Sequence, residues 1–185
     1  FAYDEVGNRV SQTDALGRTT RWAYDDAGRV VARLLPGGQS ETFAYDASGN
    51  RLEHVDFNGA TSRYRYDAVN REVEARHGDG SGVVTTYTAG GQVATRSDAA
   101  GITAYDYDAR DRLVLVAHPD GVGIAYEYDL HGNRVRMSTP QQDVAYGYDE
   151  LNRLKGLTRD GVTTTFGYDE SGNRNLLRLP DGNRA

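Results

Sequence analysis

The sequence predicts an all-β fold, a meander of tandem antiparallel β-hairpins that forms a curved sheet strip. Three observations predict it. A four-residue stretch, aromatic-x-Tyr-Asp, returns nine times, with successive second tyrosines 20 or 21 residues apart. Two turn signals fall in every period, which leaves about six residues between turns. Those turns are rich in Gly, Asn and Asp, so no segment has the length or the composition of a helix. A fixed period of this size marks a repeat architecture.

The stretch opens as Phe1-Ala2-Tyr3-Asp4 and returns as Trp22-Ala23-Tyr24-Asp25, Phe43-Ala44-Tyr45-Asp46 and Tyr64-Arg65-Tyr66-Asp67. A worn copy, Thr85-Thr86-Tyr87-Thr88, comes next. Then follow Tyr105-Asp106-Tyr107-Asp108, Tyr126-Glu127-Tyr128-Asp129, Tyr146-Gly147-Tyr148-Asp149 and Phe166-Gly167-Tyr168-Asp169. Side chains two apart in a strand share a face, so the two aromatics of each copy form one packed stripe. Tyrosine suits a half-buried pleated surface, because its ring packs while its hydroxyl stays wet.

The aspartate then stops the strand. At the first position of a turn its carboxylate accepts backbone N–H groups two or three residues on. The position four after each second tyrosine holds Gly7, Gly28, Gly49, Asn70, Gly91, Asp111, Gly132, Asn152 and Gly172. These are the residue types that enter the left-handed region most readily. A constraint on backbone conformation selects that set, and the predicted loop is a type I turn closed by a left-handed residue.

An arginine follows the turn in eight of nine copies: Arg9, Arg29, Arg51, Arg71, Arg112, Arg134, Arg153 and Arg174. The expectation is that each bonds a neighbouring Asp or a turn carbonyl, as a polar ladder along the rim. A second turn comes roughly ten residues on. It reads Asp14-Ala-Leu-Gly17, Asp56-Phe-Asn-Gly59 or Asp98-Ala-Ala-Gly101. Elsewhere it is Pro36-Gly37-Gly38, Asp79-Gly80, Pro119-Asp120-Gly121, Asp160-Gly161 or Pro180-Asp181-Gly182. Pro140-Gln-Gln-Asp143 lacks glycine, and a looser loop is expected there. Residues 1–185 thus form an array of about nine repeats and eighteen strands. At about 4.8 Å per strand it would be about 85 Å wide if flat, and sheets beyond about ten strands curl or split. Both outer strands are expected to be continued by further repeats, because uncapped edges template association.

Composition narrows the function. The net charge is −6, the wrong sign for a nucleic-acid surface. There is no cysteine, which excludes a disulfide scaffold and thiolate metal sites. No run of eighteen apolar residues exists to span a membrane as a helix. The opening residues lack the basic start and apolar core of a signal peptide.

Copies such as Tyr45-Asp-Ala-Ser-Gly-Asn-Arg51-Leu52 and Tyr24-Asp-Asp-Ala-Gly-Arg29-Val30 resemble the tyrosine-aspartate (YD) repeats of the Rhs family. That family includes bacterial Rhs polymorphic toxins, shell components of insecticidal toxin complexes, and the animal teneurins. The resemblance runs from Phe1 to Arg184. It implies a sheet strip that winds into a hollow spiral shell, of which this chain is a fragment. It also implies an enclosed C-terminal toxin domain, further repeats of the parent shell, and secretion-machinery or chaperone proteins as partners. Secretion, or delivery by a bacterial system such as type VI, comes with it. The Asp-Pro-x-x-Gly self-cleavage motif of such proteins has no counterpart here. Pro119-Asp120-Gly121 has the order reversed and sits at an ordinary turn.

No enzymatic role, cofactor or metal site is expected. The repeated aspartates are explained by their turn positions. His54, His77, His118 and His131 share no repeat position and no metal-ligand spacing. Gly78-Asp79-Gly80-Ser81-Gly82 occurs once and reads as a loop. The aromatic stripe leaves two readings: packing between hairpins, or stacking on carbohydrate in an adhesion module. They differ in how far the rings are covered.

Overall fold

The computed structural model of the chain describes residues 1–179. The turn expected at Pro180-Asp181-Gly182 lies outside them. Every regular element among the described residues is a strand, and the all-β meander is what the structure shows. The chain divides into two compact units.

The first unit comprises residues 1–86 and 96–99. Its strands are β1 (Ala2–Tyr3), β2 (Arg9–Thr13), β3 (Thr19–Tyr24), β4 (Val30–Leu34), β5 (Ser40–Tyr45), β6 (Arg51–Val55), β7 (Thr61–Tyr66), β8 (Glu72–Arg76) and β9 (Gly82–Tyr87), the last up to Thr86. Each pairs antiparallel with the next. The second unit comprises residues 87–95 and 100 onward, so β10 (Val93–Asp98) is divided between the two. Its other strands are β11 (Gly101–Tyr107), β12 (Leu113–Ala117), β13 (Gly123–Tyr128), β14 (Arg134–Ser138), β15 (Asp143–Tyr148), β16 (Leu154–Arg159), β17 (Val162–Tyr168) and β18 (Arg174–Arg178). These too pair in chain order.

Within each unit the sheet is open and uncurled. The curl expected of the whole strip is absent there. Each unit stays below the ten or so strands at which a sheet must curl or split.

The hairpins that carry the motif share one irregularity. In β3–β4, Trp22 faces Arg33 and Ala23 faces Ala32, but Tyr24 faces Val30. One extra residue on the return strand makes a β-bulge beside the second tyrosine. The same slip recurs beside Tyr45, Tyr66, Tyr107, Tyr128, Tyr148 and Tyr168. Bulges sharpen the local twist and re-aim a side chain.

Register sorts the side chains. Trp22–Arg33–Glu41, Tyr64–Ala75–Val83, Tyr105–Val116–Ile124 and Tyr126–Met137–Val144 are rows of opposed residues on one face. Ala75, Val116 and Val144, the buried apolar residues, all lie there, and so does the buried Glu41. Among the described residues no large side chain is fully buried. A single layer has no second surface to close over its rings, so their cover must come from lateral neighbours.

The second turns at Asp14, Leu35, Asp56, His77 and His118 follow the same three-residue plan, and two others depart from it. Asp160 and Gly161 both have positive φ, 51° and 79°, as a two-residue type I′ turn requires. The turn at Pro140, expected to be loose, is tight. Thr139 and Gln142 exchange backbone hydrogen bonds of 2.8 and 3.3 Å around Pro140 and Gln141 alone. No residue of that loop has positive φ, so glycine is not needed.

Candidate functional site

The motif residues converge on one rim of each unit. The turn itself is built locally. The Asp25 N–H donates to the Arg29 carbonyl at 3.0 Å, and the Gly28 N–H to the Asp25 carbonyl at 2.9 Å. The Asp25 carboxylate accepts the N–H groups of Ala27 and Arg29 on Oδ1, at 3.0 and 2.9 Å. Its Oδ2 accepts Arg29 Nε at 2.7 Å. All nine positions four after a tyrosine have positive φ, from 59° at Asn152 to 93° at Gly7 and Gly132. The worn copy keeps the turn: Gly91 N–H donates to the Thr88 carbonyl at 3.0 Å, and Thr88 Oγ1 accepts the Gln92 N–H at 3.2 Å.

This bonding sets the charge state of the rim. Backbone donors from Arg29 first, with its guanidinium, hold the Asp25 carboxyl below its ordinary range. The Arg112 side chain holds Asp108 at about 2. Where the donor is Asn8, Asn50, Asn133 or Asn173, its side-chain amide is the leading cause at Asp4, Asp46, Asp129 and Asp169.

Seven of the second tyrosines then tie their repeat to the one before. The hydroxyls of Tyr24, Tyr45, Tyr66, Tyr107, Tyr128, Tyr148 and Tyr168 donate to backbone carbonyls 14 or 15 residues earlier, at 2.9–3.2 Å. Partial burial pushes the Tyr66 and Tyr148 hydroxyls above the ordinary phenol value. That keeps them protonated and able to donate.

The arginines form two classes where the sequence suggested one. Arg29, Arg71, Arg112 and Arg153 stand four residues after their aspartate and pair with it. Arg29 and Arg112 also reach the carbonyls of Asp46 and Asp129, at 2.9 and 3.0 Å. Arg29, Arg112 and Arg153 stack over the next repeat's second tyrosine, Tyr45, Tyr128 and Tyr168, at 4.6–4.7 Å. The other four, Arg9, Arg51, Arg134 and Arg174, stand five residues after the aspartate and do not join that ladder. Arg9, Arg51 and Arg134 lie over the first aromatic of the following repeat, Trp22, Tyr64 and Tyr146, at 4.1–4.9 Å. Arg174 lies over Phe166 of its own repeat, at 5.9 Å. One residue of displacement moves a side chain from the turn into the strand.

In those copies an asparagine takes the vacated place. Asn8, Asn50, Asn133 and Asn173 donate to Oδ2 of their own aspartate at 2.9–3.1 Å. Asn50 and Asn133 also reach the side chains of Asn70 and Asn152, at 2.7 and 2.8 Å. Amide and arginine copies alternate along the chain: Asn8, Arg29, Asn50, Arg71, Gln92, Arg112, Asn133, Arg153, Asn173. The sequence reading missed the amides. They stand at the position five after each second tyrosine, directly after the left-handed residue.

The rim is therefore a lateral cross-linking device. Its polar atoms are consumed by turns and by neighbouring repeats. Guanidinium groups occupy ring faces that a sugar would use. Phe43 is likewise stacked on His54, with centroids 4.7 Å apart.

A search of protein-family models matches the chain to the RHS Repeat at residues 3–40, 25–61, 45–81, 87–122 and 148–184, more than half of its length. Similar solved structures include TcdB2-TccC3-TEV, with 20% identity and a TM-score of 0.73 over 93% of this chain. TcdB2-TccC3 matches at 18% identity, with a TM-score of 0.70 over 90%. A Photorhabdus luminescens Tc holotoxin pore with a TccC3 mutation matches at 17%, with a TM-score of 0.62 over 96%. At these identities the likeness is one of fold. The chain spans only 12–13% of the length of those structures. A comparison with curated protein sequences finds no match.

Proposed function

Because the chain belongs to the RHS repeat family, we propose that it is a structural, non-catalytic stretch of a β-shell that encloses a C-terminal toxin or effector domain. The observation that carries this reading is the destination of the rim's bonds. Seven tyrosine hydroxyls, the guanidiniums of Arg9, Arg29, Arg51, Arg112, Arg134 and Arg153, and the amides of Asn50 and Asn133 reach the neighbouring repeat, which suits a wall that must hold its width without a second layer. Array members of this kind contact only their neighbours and extend by addition. Residues 1–185 are then one segment of a larger shell domain. Its partners are further repeats of the parent shell and the enclosed domain. Its route is secretion, or delivery by a bacterial system such as type VI. A carbohydrate-binding adhesion module needs uncovered ring faces, and the stacked arginines speak against it.

Limited proteolysis of the parent protein tests the shell. Its C-terminal domain should resist a protease while the shell is intact. It should become cleavable when the rim is broken by Gly28→Val together with Gly49→Val. A C-terminal domain cut equally fast in both proteins would overturn the enclosing role.

A further inference from the structure

The alternation of amides and arginines along the rim is matched by a second alternation, one repeat on. Each of these donors is followed in the next repeat by a left-handed residue, and the two vary together. After Arg29, Arg71, Arg112 and Arg153 that residue is Gly49, Gly91, Gly132 and Gly172. After Asn50, Gln92 and Asn133 it is Asn70, Asp111 and Asn152. Asn8, followed by Gly28, departs from the rule. Glycine, asparagine and aspartate all enter the left-handed region, so backbone conformation does not choose among them.

The side chains of the preceding repeat give the reason. Where the donor is an asparagine, the left-handed side chain meets it: Asn50 and Asn133 donate to the side-chain oxygens of Asn70 and Asn152 at 2.7 and 2.8 Å. Where the donor is an arginine, it reaches the carbonyl of the next aspartate, as Arg29 does to Asp46 and Arg112 to Asp129. A Cβ added to Gly49 would stand 3.7 Å from Arg29 Nη1, and one added to Gly172 would stand 3.9 Å from Arg153 Nη1. Those positions are already in van der Waals contact, so a longer side chain must contend with the guanidinium for its place. Gly132 has open space at its Cβ position, so Gly49 and Gly172 carry the exclusion. At Gly28 the reverse holds. The recorded bond of the Asn8 amide ends on its own Asp4, and a Cβ on Gly28 would stand 3.8 Å from Asn8 Oδ1.

We propose that the rim is a pairing code between adjacent repeats. An arginine repeat fits a neighbour with glycine at its left-handed position, and an amide repeat fits one with asparagine or aspartate there. The hairpins are otherwise near copies of one another, so a wrong neighbour, from this chain or from a second copy, would meet similar strands. The code penalises it by setting an asparagine against a guanidinium, or by leaving an amide opposite bare glycine. This pairing does not depend on what the shell encloses.

Chemical unfolding of the chain reads the code through one substitution at two places. Gly28→Asn supplies the acceptor that Asn8 lacks, and should lower the unfolding equilibrium constant by about fivefold, the contribution of one hydrogen bond. The gain should vanish in an Asn8→Ala background. Gly49→Asn faces Arg29 and should raise the constant. Most of that rise should disappear when Arg29→Asn is made as well, since two amides then meet as Asn50 and Asn70 do. Backbone strain at position 49 is the same in both backgrounds, so it cannot imitate this result. Circular dichroism of each variant confirms the β-sheet. The code is overturned if Gly28→Asn destabilises as much as Gly49→Asn, or if its gain survives Asn8→Ala. It is equally overturned if Gly49→Asn costs the same with and without Arg29→Asn.

Discussion

Asp25–Arg29 and Asp14–Arg18 are the same ion pair at opposite ends of neighbouring hairpins. Both span four residues, both close at 2.7 Å, and both sit in a turn whose last residue has positive φ. They differ in cover. The Arg29 and Asp25 side chains are 30% and 24% exposed, those of Arg18 and Asp14 63% and 38%. Arg29 goes on to the Asp46 carbonyl and the Tyr45 ring. The recorded hydrogen bonds of Arg18 end within its own turn. Identical local chemistry makes a turn at one rim and a cross-link at the other. What separates them is the tyrosine just before the aspartate, which braces the neighbouring repeat and presents a ring to its arginine.

The sharpest way to break this comparison is to disrupt the turn beneath a cross-link. Gly28→Val forces a β-branched residue to a φ of 75° and should cost about 1–3 kcal/mol, while Ala27→Val next to it should be almost silent. Equal melting temperatures would mean that the turn register assigned here is wrong. Tyr45→Phe comes next. It deletes a 3.0 Å hydrogen bond to the Val30 carbonyl and should cost about 1 kcal/mol in chemical unfolding. Tyr64→Phe, at a first-aromatic position whose ring is covered by Arg51, should change little. If the two tyrosines respond alike, the hydroxyl brace is not what holds repeats together.

Smaller still is the difference between the arginines themselves. Arg29→Gln should lower the melting temperature and Arg18→Gln should barely move it, since exposed ion pairs contribute little. A reversed order would place the cross-link at the wrong rim. The smallest effect is visible only in acid. The folded Asp108 carboxyl is held at about 2 against an ordinary 3.8. A depressed carboxyl adds stability that is present above about pH 4 and is lost as pH falls towards 2. Wild type should therefore lose its advantage over Asp108→Asn across that window. An advantage that stays constant from pH 5 to about pH 2 would show that the aspartate contributes no charge-dependent stability.

Much of this was legible in the residues. The strands, the turn at each aspartate and the left-handed position after it are decided within five or six residues, and each nominates itself by residue type. The tightness of the Pro140 turn was not. The absence of glycine suggested slack, whereas a two-residue loop without positive φ simply has no use for one.

The sequence by itself determined the period, the all-β meander and the backbone of every Tyr-Asp turn, since those depend on contacts between residues close in the chain. Only the tertiary structure decided where the arginines go. Arg29 ends on Asp46, seventeen residues away, while Arg51 leaves its turn to an asparagine and stacks on Tyr64. The same bulge lies beside Tyr24 and Tyr45, so the fates are separated by the arginine's place, four or five residues after its aspartate, because one residue of register moves a side chain from the turn to the strand. Residue type names the donor, but register and lateral neighbours choose the acceptor.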